Sequence, residues 1–289
     1  MTKKFRSKKG AERTANAAIY IILTIISIVW LLPFCYLLIQ SLRGETGSST
    51  LYFWPKEWTF NNYIKLFTDT SIYNFPRWYG TTLLISIVVT VIQSMITLIT
   101  SYALSRLRFK MRKPLMNLML VLGMFPGFMS MTAVYFILKL VGLTQNMGLV
   151  GLILVYVASS CMGYYISKGF FDTIPKSLDE AARIDGASRQ VVFFKIILPL
   201  AKPIIIYTVL TAFMAPWGEY MFASLIANGS QENFNVAVGL WQMLQRETKQ
   251  QYFTRFCAAS VLISIPITVL FFCLQRYYVQ GVTGGSVKG

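Results

Sequence analysis

Six apolar stretches, each long enough to form a membrane-crossing helix, alternate with polar segments along the chain. They run Ile19–Ser41, Thr81–Leu104, Leu115–Leu138, Met147–Ser167, Pro203–Ala227 and Phe256–Gln275. About 20 residues rising ~1.5 Å each cross a hydrocarbon core ~30 Å thick. Glu219, in the fifth stretch, is the one charge they contain. The pattern predicts an all-α, polytopic membrane protein of six transmembrane helices in one membrane domain over 19–276. A basic tail (1–18) precedes it and a short tail (277–289) follows. The first stretch is about twice as long as a signal-peptide core and no small-residue cleavage site follows it, so it is expected to be retained as an anchor.

The polar segment 168–202 departs from a simple chain reversal. Ser177 and Glu180 have the S-x-x-E spacing of a capping box. Asp179 and Glu180 then fall in a first helical turn, where the dipole favours negative charge. Gly186 stands where a left-handed residue would end the helix after about two turns. Ser188 can start a second helix, with Val191, Val192, Phe194, Ile196 and Ile197 apolar and Pro199 and Pro203 limiting it. A two-turn helix is unstable alone in water, so this one needs support. Local physics leaves two readings open: an ordinary capped loop, or a rigid docking element.

Charge fixes an expected topology. With the N-terminus inside, the inner segments carry 6, 5, 6 and 2 Lys/Arg and the outer loops 4, 1 and 3. That is the positive-inside bias, and it puts both termini in the cytoplasm. The opposite orientation would place Arg106, Arg108, Lys110, Arg112 and Lys113 outside. The net charge of +16 is accounted for by these topology clusters, which can also touch anionic lipid, and calls for no nucleic-acid partner. The composition, 55% apolar and 13% charged, lies far from that of a soluble domain.

The first outer loop, 42–80, is rich in aromatics: Tyr52, Phe53, Trp54, Trp58, Phe60, Tyr63, Phe67, Phe75, Trp78 and Tyr79. It reads as a short helix lying at the headgroup level or as a contact surface for an extracellular partner. Asn228-Gly229-Ser230 reads as a turn. No internal repeat or low-complexity segment stands out.

Catalytic and metal chemistry have little to work with. The chain contains no histidine, which removes the commonest acid–base group and metal ligand. It has no G-x-x-x-x-G-K-[ST] phosphate loop and no nucleophile elbow. Cys35, Cys161, Cys257 and Cys273 lie inside predicted spans without metal spacing and act as small apolar residues. No cofactor, no metal and no catalytic residue is expected. Intramembrane charge is costly and tends to be functional, which singles out Glu219, about 24 Å along its helix from Pro203. In Ala215-Pro216-Trp217-Gly218-Glu219-Tyr220 two helix breakers meet two amphipathic aromatics. A broken helix exposes backbone to a polar solute, and Trp217, Glu219 and Tyr220 are candidates for a substrate path. An interfacial glutamate beside interfacial aromatics is the plainer alternative.

Two motifs carry a family resemblance. Asp179-Glu180-Ala181-Ala182-Arg183-Ile184-Asp185-Gly186-Ala187, with Ile196, Leu198 and Pro199, resembles the cytoplasmic loop of the membrane subunits of bacterial ABC importers, in their carbohydrate branch. The ending Gln275-Arg276-Tyr277-Tyr278-Val279-Gln280-Gly281-Val282-Thr283-Gly284-Gly285-Ser286-Val287-Lys288-Gly289 is similar to the C-terminus of the second membrane subunit of maltose-type importers. With the six-span pattern, the resemblance covers nearly the whole chain. It implies the type I importer permease fold, with the short loop helix as a coupling helix seated in a cleft of an ATP-binding subunit. Glu180 would be its charged contact, and Ala181, Ala182 and Gly186 the small surface allowing close approach; Ser177, Asp179 and Asp185 complete the docking set. The tail, from Gly281 to Lys288 and Gly289, would reach the interface between the two ATPase subunits.

The implied partners are a second, different membrane subunit, cytoplasmic ATP-binding cassette subunits and an extracellular or periplasmic sugar-binding protein. The implied cargo is an oligosaccharide, malto-oligosaccharide first and galacto-oligosaccharide or another disaccharide next, crossing a bacterial cell membrane. Two other classes remain open on the residues alone. One is a self-sufficient ion-coupled carrier or channel using Glu219. The other is a membrane enzyme or assembly factor working through the basic loops and the aromatic outer segment.

Overall fold

The computed structural model describes residues 2–45, 47, 52–144, 148–227, 229–245 and 248–283. Among them the fold is helical, and the one extended pairing is an isolated antiparallel bridge between Arg43 and Trp58. The chain forms two compact units. One comprises Met1–Thr68 with Leu244–Val261, the other Asp69–Met243 with Leu262–Gly289.

The first unit holds α1 (Thr2–Ser41), α2 (Asn61–Thr68) and the start of α14 (Lys249–Thr283). α1 is helical from Thr2 and runs without a break into the first expected span. The segment after α1 is organised by a buried arginine. Arg43 is fully buried and donates to the carbonyls of Tyr52 and Phe53 at 3.0 and 2.8 Å. Asn62 then donates to the carbonyls of Ser41 and Arg43 at 2.9 and 2.8 Å and accepts from Thr254 at 3.0 Å. The large majority of buried polar groups are bonded in this way. The aromatic segment 42–80 does contain a short helix, α2. It buries Asn62 and Leu66 while Ile64 and Phe67 face outward.

In the second unit α3 (Phe75–Arg106) is the central post, packed by α6 (Gly148–Ala158), α7 (Cys161–Thr173) and α11 (Lys202–Gly218). Its buried side includes Thr82, Ser86, Ser94, Thr97, Ser101 and Ser105, small residues that let helices approach closely without a hydrophobic driving force between them. This span begins at Phe75, six residues before the expected start. Phe75 and Trp78 are fully buried core residues, not headgroup aromatics. The Trp78 ring lies where a β-carbon on Gly239, in α13 (Val236–Met243), would have to go. Its Nε1 donates to the carbonyl of Gln231 at 3.3 Å.

Among the described residues, four helices are long and apolar enough to cross a membrane, and two bent pairs bring the count to six if each is one span. The third expected span is one such pair, α4 (Arg112–Met124) and α5 (Gly127–Leu140), bent by 102°. Pro126 causes the break: it has no N–H to give and forces Phe125 into extended geometry, ψ 130°. The fourth is interrupted at Ser159–Ser160 between α6 and α7. The fifth expected span is formed by α11 and, after a break at Glu219, by Met221–Ala227. The second bent pair joins α11 to Arg189–Leu200 in the preceding polar segment, with a turn of 84° at fully buried Ala201. Arg189–Leu200 consists of α9 (Arg189–Val191), a π-helical stretch Val192–Ile197 and α10 (Leu198–Leu200).

Candidate functional site: the docking helix and the broken fifth span

The short helix predicted in segment 168–202 is α8 (Ser177–Ile184). Its end matches the expectation. Gly186 has φ +82°, its N–H bonds the Arg183 carbonyl at 3.0 Å, and the Ala187 N–H bonds the Ala182 carbonyl at 2.9 Å. This is a Schellman closure around a left-handed glycine. Ser188 then caps α9, accepting from the Val191 N–H at 3.4 Å.

Its start does not match. Ser177 is not the cap but the first helical residue. Lys176 holds the cap position with helical angles (φ −68°, ψ −22°) and no side-chain cap bond. Pro175 opens the first turn by accepting from Leu178 at 3.3 Å, and the Glu180 N–H is already bonded to the Lys176 carbonyl at 3.1 Å. The donor that a serine cap at Ser177 would serve, the Glu180 N–H, is therefore already taken.

The helix is divided into two faces. Asp179 and Ala182, expected at the docking surface, point into the protein instead and are buried. Asp179 ion-pairs with Arg106 at 3.0 Å, their side chains 10% and 4% exposed, and accepts from the Tyr102 hydroxyl at 3.3 Å. Arg106 also donates to the Ile174 carbonyl at 2.8 Å. Ala182 joins a core of Leu98, Tyr102, Phe171, Val192, Phe193 and Ile197. The Tyr102 ring lies 4.7 Å from Phe193 and 6.0 Å from Phe171.

A two-turn helix is thereby clamped to the end of α3 by a buried ion pair, an aromatic cluster and a small-residue contact. Ser177, Glu180, Ala181, Asp185 and Gly186 lie on the exposed side. Ile184 stands out there at 86% exposure, and Leu178, six residues before it, is 38% exposed.

The sequence reading missed Arg106 and Tyr102 as the clamp and Ile184 as an exposed apolar tip. Arg106 was masked by its place in a run of topology charges. The i, i+3 spacing of Asp179 and Ala182 was the signal that those two share an inward face. In the tail, Gly281 lies within α14, which runs to Thr283; Lys288 and Gly289 fall outside the described residues.

At the other end of α11, Glu219 is the C-cap, with extended angles (φ −81°, ψ 111°). Its carboxylate accepts from the N–H groups of Phe222 and Ala223 at 2.7 and 2.8 Å, and from the Tyr156 hydroxyl at 3.3 Å. It therefore caps α12 (Met221–Ala227), the continuation of the broken span. Asn235 secures the break by donating to the carbonyls of Pro216 and Glu219 at 3.2 and 2.6 Å. Trp217 is buried, with ring contacts to Tyr79 at 5.4 Å and Phe213 at 5.9 Å. Tyr220 is half-buried and pairs with the exposed Trp241 at 5.2 Å. The three residues proposed for a substrate path thus sit together at one break. Trp217 and the Glu219 carboxylate are engaged in holding it, and Tyr220 with Trp241 forms its more open edge.

Comparison with known proteins agrees with this architecture. Residues 95–284 match the family described as binding-protein-dependent transport system inner membrane component. The maltodextrin transport system permease protein MdxG of Bacillus subtilis is 35% identical over 93% of this chain and 95% of its own. The galactooligosaccharides transport system permease protein GanQ of the same organism is 34% identical over 93% and 94%. Maltodextrin permease MalD of Streptococcus pneumoniae is 34% identical over 98% and 99%. Among solved structures, a subunit of a bacterial ABC transporter that imports the polysaccharide alginate superposes with a TM-score of 0.75 at 20% identity, covering 93% of this chain and 98% of that one. By family match, identity and coverage, the chain belongs to the inner-membrane permease components of binding-protein-dependent ABC importers.

Proposed function

We propose that this permease carries an oligosaccharide, malto-oligosaccharide first among candidates, inward across a bacterial cell membrane with both of its termini in the cytoplasm. As a permease component it supplies a passage and not a catalytic centre. ATP is hydrolysed on a separate subunit that seats the outer face of α8, with Glu180 as the charged contact, Ala181 and Gly186 allowing close approach, and Ile184 entering an apolar recess. A second membrane subunit completes the pore, and a binding protein delivers the sugar from outside. Support for the substrate class comes from MdxG, GanQ and MalD, whose names give maltodextrin and galacto-oligosaccharide systems. Support for α8 as the lever comes chiefly from one observation: an exposed polar face backed by the buried Asp179–Arg106 pair.

The mechanism follows from that mount. A coupling element must favour different positions in the two states of the transporter and move as a unit. Pulling α8 loads Arg106 and Tyr102 at the end of α3, and its Schellman turn passes the load through α9 and the π-helical stretch to α11. The carrier alternative draws nothing from Glu219, whose carboxylate is spent on three hydrogen bonds that hold a helix break.

The test is purification of the tagged protein from its own membrane in mild detergent. A second permease subunit and an ATPase are expected with it, and the ATPase should be lost in Glu180→Ala/Gly186→Val while the second permease stays. A lone or homo-oligomeric protein that moves sugar only when an ion gradient is imposed would overturn the reading.

A further inference from the structure

A second polar feature lies away from both sites, inside the helical packing of the second unit. Gln93, Ser94 and Thr97 of α3, Ser159, Ser160 and Gly163 at the α6–α7 break, and Tyr207, Thr208 and Thr211 of α11 line a crevice of about 170 Å³. It lies close to the midpoint of α3, of the Gly148–Thr173 span and of α11, the depth at which water is scarcest and polar groups most costly. None of the lining residues is charged.

The hydrogen-bonding state of these groups is one-sided. Thr208 and Thr211 spend their hydroxyl protons on the carbonyls of Ile205 and Tyr207, both at 2.8 Å, and Ser159 donates to Tyr156 at 3.2 Å. Their oxygens are left as acceptors. The Gln93 amide nitrogen donates to the Ser160 hydroxyl, and its Oε1 has no partner in the chain. Ser94, 6% exposed, likewise has an unpartnered hydroxyl. Buried polar atoms without partners are rare and call for an explanation. An acceptor-rich, uncharged lining suits a neutral solute that brings several O–H donors, and it offers an ion no counter-charge.

We propose that this crevice is a subsite for one ring of a passing oligosaccharide, reading its hydroxyls as donors, with Ser94 and the Gln93 Oε1 as the central contacts. The proposal rests on the sugar-importer reading above, but places substrate contact at Gln93–Thr97 and Thr208 instead of at Glu219.

The experiment uses the complete transporter with its binding protein in lipid vesicles, with Cys35, Cys161, Cys257 and Cys273 replaced by alanine. Ser94→Cys and, at the crevice mouth, Thr211→Cys are each treated with a small methanethiosulfonate reagent. Both thiols are expected to react. Maltotriose at about ten times its dissociation constant should slow labelling about tenfold, whereas permethylated maltotriose, which has no hydroxyl donors, should not. ATP-driven uptake of maltotriose and of a galacto-oligosaccharide is measured in vesicles of the cysteine-free parent, which keeps Ser94 and Thr211. Uptake with labelling untouched by maltotriose overturns the subsite, as does failure of both thiols to react. Equal protection by the permethylated sugar overturns the hydroxyl-donor basis. Absence of ATP-driven uptake of any maltodextrin or galacto-oligosaccharide instead overturns the importer reading on which the proposal stands.

Discussion

Two carboxylates in this protein hold breaks in the helical framework, and they do so in opposite ways. Asp179 bonds across elements: its partners, Arg106 and Tyr102, belong to α3, 73 and 77 positions away in sequence. Glu219 bonds mainly along the chain, to the N–H groups three and four residues ahead, with Tyr156 adding a longer bond. The first arrangement transmits displacement, because moving α8 must move α3 or break a buried ion pair. The second fixes shape, because it lets a span stop at Gly218 and restart at Met221 without leaving N–H groups bare. An acidic residue in or near a membrane span is therefore not by itself a sign of ion coupling.

The comparison is broken most severely at the clamp. Arg106→Leu leaves Asp179 buried without its counter-charge, and removing one partner of a buried pair costs about 3–5 kcal/mol. The midpoint of thermal unfolding of the detergent-purified complex should fall by several degrees, with uptake lost. The double variant Asp179→Leu/Arg106→Leu should recover much of that stability, since an apolar pair of similar volume is often neutral, while uptake stays impaired. If the double variant were as unstable as the single one, the pair would be holding α8 by more than charge.

Glu219→Ala should have a smaller effect. It removes a cap, a change that costs about 0.5–2 kcal/mol, and it also strands the Tyr156 hydroxyl. Reduced stability with uptake still driven by ATP, and indifferent to a proton gradient, is the expected result. Gradient-sensitive uptake in the parent protein that disappears in Glu219→Gln would reverse the assignment.

How far the sequence could be read follows from the same contrast. Apolar stretches of spanning length, the Gly186 stop and the Ser188 cap are local signals, and each appears in the fold. What stayed hidden depends on contacts between distant elements. The inward face of Asp179 and Ala182 exists only because α3 ends beside them, and Phe75 and Trp78 read as interfacial until Gly239 is seen to receive the Trp78 ring. The 102° bend at Pro126 lies inside what reads as one unbroken apolar stretch, Leu115–Leu138. The crevice at Gln93–Thr211 could not be assembled from sequence at all, because its serines and threonines look like the small residues any packed membrane helix uses.

Gly186→Ala addresses the joint between α8 and α9. No atom lies within 4 Å of the place a β-carbon would take, so the cost comes from φ +82° alone, about 1–2 kcal/mol for a residue with a side chain. Unfolding should shift slightly, and uptake should fall more than stability does, because the joint sets the angle at which α8 is presented. Equal losses of stability and uptake would make the glycine a folding residue only.

The smallest structural effect, and the sharpest functional one, is expected at Glu180. Its side chain lies on the exposed face, one position along from Asp179, and surface substitutions away from caps and pairs stay within about 0.5 kcal/mol. Glu180→Ala should unfold at the parent's temperature and keep its companion membrane subunit, yet lose the ATPase and all ATP-driven uptake. Asp179→Asn, one residue away, should do the reverse: some loss of stability with the ATPase still attached. Adjacent acids giving opposite outcomes would assign the two faces of α8 separately. A Glu180→Ala protein that retains its ATPase and transports normally would leave Ile184 and Ala181 to carry the contact, with charge playing no part in seating the helix.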